Sequence, residues 1–162
     1  MTSNEVRKLL KSIPWFAELK PEHFETLAQI SSVHSLPENT DIFREGDRED
    51  RLYIVVEGRV GLEITMPHRG RVRILTAEPM DIVGWSSVIP VVRQRTASAR
   101  TVLASTLIGL ESEKLRQLCD EDHDLGYIVM RRISNIVASR LLTTRLQLID
   151  MFAAPETEAA ND

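Results

Sequence analysis

A run of eighteen residues, Asp81 to Ser98, combines two features that suit the binding of an anion. Gly84 ends a short apolar strand, and Ser86 and Ser87 can begin a helical turn whose first backbone N–H groups lack partners within the turn. Arg95 follows eleven residues after Gly84. Because a guanidinium offers a planar fork of donors, it fits a phosphate better than an ammonium does. The run therefore predicts a site for a small phosphorylated ligand.

Catalytic and metal chemistry find little support in the remaining polar residues. The chain has four histidines, His23, His34, His68 and His123, and one cysteine, Cys119. Their positions show no metal-ligand spacing, and no Ser-His-Asp order stands out. A single cysteine also excludes an intrachain disulfide. We expect a protein that is not an enzyme and that holds no metal or other cofactor.

The composition and charge of the chain limit the class of protein and the cellular location that we expect. The chain has 162 residues, of which 43% are hydrophobic and 27% charged, enough to bury one sizeable core. Its net charge of −4 gives no overall attraction to nucleic acid or to an anionic membrane. The N-terminus lacks the apolar centre of a signal peptide, and no segment approaches the roughly 18 consecutive apolar residues of a membrane span. We expect a soluble cytoplasmic protein that does not bind membranes.

The secondary-structure elements that must position residues 81–98 are predicted in the order helices, strands and then one long helix. Apolar spacing predicts helices within residues 3–31, and short runs of Val, Ile, Leu and Thr predict strands between 33 and 110. Many short strands favour a small barrel or sandwich. We interpret Glu57-Gly58 and Arg69-Gly70 as hairpin turns and Glu45-Gly46-Asp47 as a tighter turn. The candidate strands are residues 42–43, 52–56, 60–65, 72–75, 82–83, 96–102 and 106–110.

A brief helix over 112–119 and a long helix from about 122 to 151 complete the predicted domain, which spans residues 1–152. At roughly 1.5 Å per residue the long helix extends about 40 Å, more than it needs to cover its own core. We expect half of its apolar stripe to pack on the strands and half to bind another copy of the chain. A purely intramolecular helix is the alternative. Residues 153–162 have the composition of a disordered tail. The stripe comprises Leu125, Ile128, Ile133, Ile136, Val137, Leu141, Leu148 and Met151.

Three segments together resemble the cyclic nucleotide-binding domain of the catabolite activator and Fnr superfamily. Phe43-Arg-Glu-Gly-Asp47 and Leu52 to Gly58 look like the family's glycine turn and the barrel strand after it. Gly84 to Ser98 is similar to the phosphate-binding cassette, with the spacing from glycine to arginine kept, and the helix from about Asp122 is similar to the dimer helix. Over about residues 13–151, the resemblance implies an α+β fold. Its parts would be a small antiparallel β-barrel of the double-stranded β-helix (jelly-roll) type, flanking N-terminal helices and a long C-terminal dimerisation helix.

The resemblance also implies which groups would surround a bound phosphate. Gly84 and Ser86 would donate backbone N–H groups, Arg95 would supply a charged fork, and Thr96 would donate from its backbone or hydroxyl. The other interpretation of Arg95 is a structural ion pair.

The resemblance places Trp85 near the ribose and Thr144 near the base of a bound nucleotide. Family members that bind cyclic AMP or cyclic GMP usually follow the cassette glycine with a glutamate, which accepts a hydrogen bond from the ribose 2′-hydroxyl. This chain has Trp85 there, and an indole is only a donor. Trp85 either stacks on a base or covers the pocket, or it fills the pocket. Thr144 falls where the family's lid residue reaches the ligand base, with Thr143 as the alternative and a plain helix-surface role for Thr144 as the other interpretation.

Two functions follow from this comparison. Transcription factors of the superfamily carry a helix-turn-helix domain beyond the long helix, where this sequence has only a short acidic segment, so we expect no DNA binding. Gly84 and Arg95 favour a stand-alone regulatory module that senses a cyclic nucleotide or related phosphorylated ligand, forms a homodimer and signals through an effector protein. The alternative is a degenerate, non-binding domain, plugged by Trp85, that acts as a dimeric protein-interaction scaffold.

Overall fold

The computed structural model describes residues 3–48, 50–89, 91–92 and 94–153. Within them the helices are α1 (Ser3–Lys11), α2 (Pro21–Gln29), α3 (Ser112–Glu121) and α4 (His123–Ala153). The strands are β1 (Ser31–Leu36), β2 (Asp41–Phe43), β3 (Arg51–Met66), β4 (Gly70–Ala77), β5 (Ile82–Val83) and β6 (Ser98–Glu111). Short 3₁₀ turns cover Pro14–Phe16 and Trp85–Val88.

The strands form one antiparallel sheet in the order β1-β6-β3-β4, with β2 paired to β6 and β5 paired to β3. Two helices precede the sheet and two follow it, so the predicted α+β class, with flanking N-terminal helices and a long C-terminal helix, is confirmed. The hydrogen bonds among the described strands do not close the sheet into a complete barrel.

The sheet is apolar on both faces because successive residues of a strand point to opposite sides. Ile54 and Ile108 pack in a cluster with the helices, whereas their neighbours Val55 and Leu107 pack in a second cluster with residues of β4 and β5. All four are fully buried. The second cluster borders Phe43, which lines the cavity described below. The helices therefore pack on one face of the sheet, and Phe43, which borders the candidate site, packs on the other.

The prediction of a hairpin turn at Glu57-Gly58 is wrong. β3 continues through both residues, and its pairing with β6 shifts register there. Gly58 has φ +86°, and a Cβ on it would lie 2.7 Å from the Cα of Ser105. The glycine therefore forms a bulge that bends one long strand, so that its second half can pair with β4. The predicted turn at Arg69-Gly70 is confirmed by the hydrogen bond that the Arg69 N–H donates to the Met66 carbonyl, 3.2 Å.

The strand β1 is not among those predicted, because its sequence, Ser-Ser-Val-His-Ser-Leu, is mostly polar. It forms by pairing along β6, from Ser31 opposite Leu110 to Leu36 opposite Ser105. The predicted tail begins at Ala153, which ends α4, and its remaining residues lie outside the described part of the chain.

The apolar residues of α4 divide between its two halves, as the stripe predicts. Those buried against the rest of the fold lie in the first half: Leu125, Ile128, Val129, Ile133 and Ile136. Apart from Tyr127, those exposed in this single chain lie in the second half: Leu141, Leu142, Leu146, Leu148, Ile149, Met151 and Phe152. The far half of α4 therefore presents an apolar surface that the described part of its own chain leaves uncovered.

Candidate ligand-binding site

The turn that follows β5 is built around Gly84. Gly84 has φ +72°, in the left-handed region that favours glycine, and it caps the 3₁₀ turn Trp85–Val88. A Cβ here would lie 3.0 Å from the Arg51 carbonyl oxygen and would collide with the Arg95 guanidinium. The Ser87 hydroxyl donates to the Gly84 carbonyl, 2.7 Å, which fixes the turn from inside. Backbone conformation and close approach both require glycine at this position.

Arg95 is buried, with 3% of its surface exposed, and its guanidinium lies directly beside the Gly84 turn. Nη2 donates to the Arg51 carbonyl at 2.6 Å, and Nη1 donates to the Gly84 carbonyl at 3.3 Å. The guanidinium also lies over the Phe43 ring, 4.1 Å from its centroid. These contacts fix the fork in one orientation, because β3, the turn after β5 and β2 each contact it.

The main chain of Arg95 forms hydrogen bonds with the glycine turn at Gly46. Its N–H donates to the Asp47 carbonyl, 2.9 Å, and its carbonyl accepts from the Gly46 N–H, 2.8 Å. Gly46 has φ +86°, as predicted for a tight turn. The two glycine turns that lie far apart in the sequence, at Gly46 and Gly84, therefore meet at Arg95.

Arg95 also forms an ion pair, as the alternative interpretation expects. A carboxylate oxygen of Asp50 lies 3.7 Å from Nη2, and 70% of the Asp50 side chain is exposed. An exposed partner at that distance is screened by water and contributes little. Arg95 therefore combines hydrogen bonds to carbonyl groups and a contact with the Phe43 ring with an ion pair to the exposed Asp50.

A cavity of about 140 Å³ opens in front of these residues. Its wall mixes apolar side chains with donors, and the described residues that line it include no aspartate or glutamate. The half-buried Trp85 forms part of the wall and leaves the cavity open. The lining residues are Phe43, Leu62, Ile74, Gly84, Trp85, Ser86, Arg95, Thr96, Ala97 and Arg140.

Arg140 is a site residue that is not among the sequence predictions. It extends from α4 to the cavity and donates through Nη2 to the Ile82 carbonyl on β5. Burial lowers the pKa of its guanidinium, and the Asp81 carboxylate partly opposes that shift. The sequence contains a signal, because Arg140 follows Ile133 and Ile136 at the three-to-four spacing of the helix face that packs inward.

Comparison with known proteins identifies the family. The family model of the cyclic nucleotide-binding domain matches residues 33–122, more than half of the chain. The chain belongs to the cyclic nucleotide-binding domain family.

Bacterial relatives of this domain are regulators. The CRP-like cAMP-activated global transcriptional regulator of Mycobacterium tuberculosis is 27% identical over 137 residues, which are 84% of this chain and 58% of the regulator. This chain therefore spans little more than half the length of that relative.

Solved structures show the same fold. A putative cyclic nucleotide-binding protein from Geobacter metallireducens has a TM-score of 0.71 and 26% identity, covering 87% of this chain and 98% of the other. The catabolite activator protein of Thermus thermophilus has a TM-score of 0.67 and 26% identity, covering 86% of this chain and 63% of the other.

In this cyclic nucleotide-binding domain, five of the six predicted ligand residues meet at one cavity, and Thr144 does not. Gly84, Trp85, Ser86, Arg95 and Thr96 all line it. Thr144 is exposed on α4. Its neighbour Thr143 is half-buried and lines a second cavity, of about 150 Å³, which adjoins the first at Leu62 and Arg140.

The described residues contain neither a metal-binding cluster nor a membrane-spanning helix. No group of three His, Cys, Asp or Glu side chains among them is arranged to hold a metal ion. None of the helices in the described part of the chain combines the length and hydropathy needed to cross a membrane.

Proposed function

We propose that this domain is a regulatory module that binds a cyclic nucleotide or a related phosphorylated ligand in the Arg95 cavity. The observation that carries the proposal is the buried Arg95 fork, fixed beside the Gly84 turn and facing an open cavity that has no acidic lining among the described residues. A guanidinium held in a low-dielectric wall binds a phosphate more strongly than an exposed one does. The cAMP-activated relative in Mycobacterium tuberculosis supports a cyclic nucleotide as the first candidate.

The output of the module would pass through α4. Three of its side chains, Arg132, Arg140 and Gln147, donate to the backbone carbonyls of Met80, Ile82 and Ile74. A ligand that contacts Arg140 therefore acts on one of the bonds that hold α4 to the sheet. A ligand shifts a conformational equilibrium only when it binds one state better, and this contact supplies such a difference.

The exposed apolar surface of α4 supports a homodimer as the signalling form. Leu141 is 59% exposed and Phe152 is 84% exposed in the single chain. Contiguous exposed apolar surface on a helix is typical of a protein–protein contact. A second copy of the chain would cover this surface, and a change in the position of α4 would then reach an effector protein through the dimer.

Calorimetric titration with cyclic AMP and cyclic GMP tests the binding proposal. The unaltered protein should bind one of them, and Arg95→Lys should weaken that binding by about 10- to 100-fold, because an ammonium keeps the charge but loses the planar fork. Arg59→Lys is the matched control, since Arg59 pairs with Glu78 on the surface away from the cavity. Thermal unfolding of each variant checks that the fold is retained.

Two outcomes would contradict the proposal. One is a folded Arg95→Lys protein that binds as tightly as the unaltered protein. The other is a folded dimer that binds neither cyclic nucleotide nor any small phosphorylated metabolite at millimolar concentration. The second result would favour the protein-interaction scaffold.

A further inference from the structure

We infer that Ser112, the first residue of α3, is a positioning residue for the ligand-binding site, because two buried hydroxyl groups link it to the Gly84 turn. The inference rests on the proposed function and adds to it a residue that does not line the cavity. Ser112 is 1% exposed and its partner Ser87 is 2% exposed. The link between α3 and the turn is therefore shielded from water.

The two hydroxyl groups form a chain with a fixed direction. The Ser87 hydroxyl donates to the Gly84 carbonyl at 2.7 Å, and the Ser112 hydroxyl donates to the Ser87 oxygen at 2.6 Å. A carbonyl can only accept, and a hydroxyl has a single hydrogen. Because the Ser87 hydrogen is committed to Gly84, Ser112 must be the donor to Ser87. A different side chain at position 112 without a donor would leave the Ser87 oxygen without this bond.

The Gly84 carbonyl determines how the turn presents its backbone. Besides the Ser87 hydroxyl, it accepts from the Ser87 N–H at 3.1 Å and from Arg95 Nη1 at 3.3 Å. The described residues contain no cis peptide bond, and the C=O and N–H of a trans peptide point in opposite directions. Fixing the Gly84 carbonyl therefore fixes the direction of the N–H of Trp85, which lines the cavity.

The N-terminal half of α3 also holds the other side of the site. The Ser112 N–H donates to the Asp50 carbonyl at 2.9 Å, and the Asp50 carboxylate forms the ion pair with Arg95. One turn further along α3, Arg116 Nη1 donates to the Ser87 carbonyl at 2.7 Å. Ser112 therefore joins two segments that both contact Arg95, the turn after β5 and the residue before β3.

A hydrogen-bond chain of this kind raises affinity without touching the ligand. When the chain is cut, the turn can adopt other conformations, and the apparent dissociation constant rises as the binding-competent fraction falls. Ser112 would therefore act on ligand binding through Ser87 and the Gly84 carbonyl.

Calorimetry with cyclic AMP and cyclic GMP on single and double variants tests this role. Ser112→Ala should weaken binding of the preferred cyclic nucleotide by about 3- to 10-fold, the effect of one buried hydrogen bond. Ser87→Ala should weaken binding at least as much, because it removes both hydroxyl links. In the Ser87→Ala background, adding Ser112→Ala should change affinity by less than about twofold, because the chain is already cut.

Ser105→Ala is the matched control. Ser105 is also buried, at 4% exposed, and its hydroxyl accepts from the Arg59 N–H at 3.1 Å, but it lines neither cavity. The variant should lower Tm as Ser112→Ala does and keep the affinity of the unaltered protein, which separates lost stability from lost positioning. Ser112→Cys keeps a weaker donor and should give an intermediate loss of affinity, which tests the role even if Ser112→Ala does not fold.

The results separate the positioning role from the proposed function. A folded Ser112→Ala protein that binds as tightly as the unaltered protein, or single losses that multiply in the double variant, would overturn the positioning role and leave the proposed function standing. A folded, unaltered protein that binds neither cyclic nucleotide would overturn both the cyclic nucleotide site and the positioning role that rests on it.

Discussion

At the scale of single residues, the spacing of the sequence locates Gly84 and Arg95 in the site but does not locate Arg140. Gly84 and Arg95 have a fixed separation, and their residue types already point to a phosphate. Arg140 is different, because its role depends on where α4 lies against β5. A residue whose partner is supplied by packing between distant elements can be suspected from its place on an apolar helix face, but its contact cannot be derived from spacing alone.

Cys119 illustrates how the environment sets reactivity. Burial raises the pKa of its thiol to about 11, and the nearby Asp120 and Asp122 carboxylates add to the shift. At pH 8 only about one thiol in a thousand would then be ionised. We expect iodoacetamide to label Cys119 at least about tenfold more slowly in the folded protein than in denaturant.

The exposed residue Gln117 on the same helix provides a control for this measurement. A Gln117→Cys thiol, introduced together with Cys119→Ser, should react at nearly the rate of the unfolded chain. Equal labelling rates for folded and unfolded Cys119 would show that the thiol is not protected.

At the scale of elements, the sequence predicts the helices well and the continuity of the strands poorly. α1 and α4 follow from helical apolar spacing, and the turn at Arg69-Gly70 follows from its residue types. Glycine at position 58 signals a break in strand geometry, but the sequence does not say whether the chain reverses or only bulges. That choice is made by the pairing of β3 with β6 and β4.

The junction of α3 and α4 depends on close approach at Gly126. A Cβ at this position would lie 2.6 Å from the Cys119 carbonyl oxygen, a backbone atom that cannot rotate away. Alanine is the better helix former by about 0.8–1 kcal/mol, but overpacking a rigid contact costs about 1–3 kcal/mol. Because the contact at 2.6 Å is with backbone, we expect an overpacking cost in the upper half of that range, so that Gly126→Ala lowers the free energy of unfolding by about 1–2 kcal/mol in urea titrations.

Asn135→Ala, at an exposed position on α4, controls for helix propensity and should leave stability unchanged or slightly increased. A Gly126→Ala protein as stable as the unaltered one would mean that the two helices separate readily at this junction.

At the scale of the whole molecule, α4 connects the ligand cavity with the exposed apolar surface. Its first half is buried against the fold, Arg140 reaches the cavity from its middle, and Leu148 in its far half is 51% exposed. The proposed module therefore places ligand contact and subunit contact on one helix. Both contacts change together if the helix moves.

The proposed dimer predicts a specific effect of charge on that surface. Leu148→Asp should shift the protein from dimer to monomer in sedimentation, because a carboxylate buried between two apolar helices lacks a partner. Leu148 is already exposed in the single chain, so the stability of the monomer should change little. Gln117→Asp adds the same charge at an exposed position of α3 and should leave the dimer intact. An unaltered protein that sediments as a monomer at tens of micromolar would contradict the dimer.

The proposed function requires a phosphate to bind between the Gly84 turn and Arg95. The most direct measurement is a ¹H–¹⁵N NMR titration of the unaltered protein with cyclic AMP and with cyclic GMP. The largest shifts should fall on the backbone amides of Gly84 and Ser86, on the Arg95 side chain and on the Trp85 indole, all of which border the cavity. Saturable binding that shifts the resonances of other amides and leaves the resonances of these four groups unchanged would contradict the proposed site.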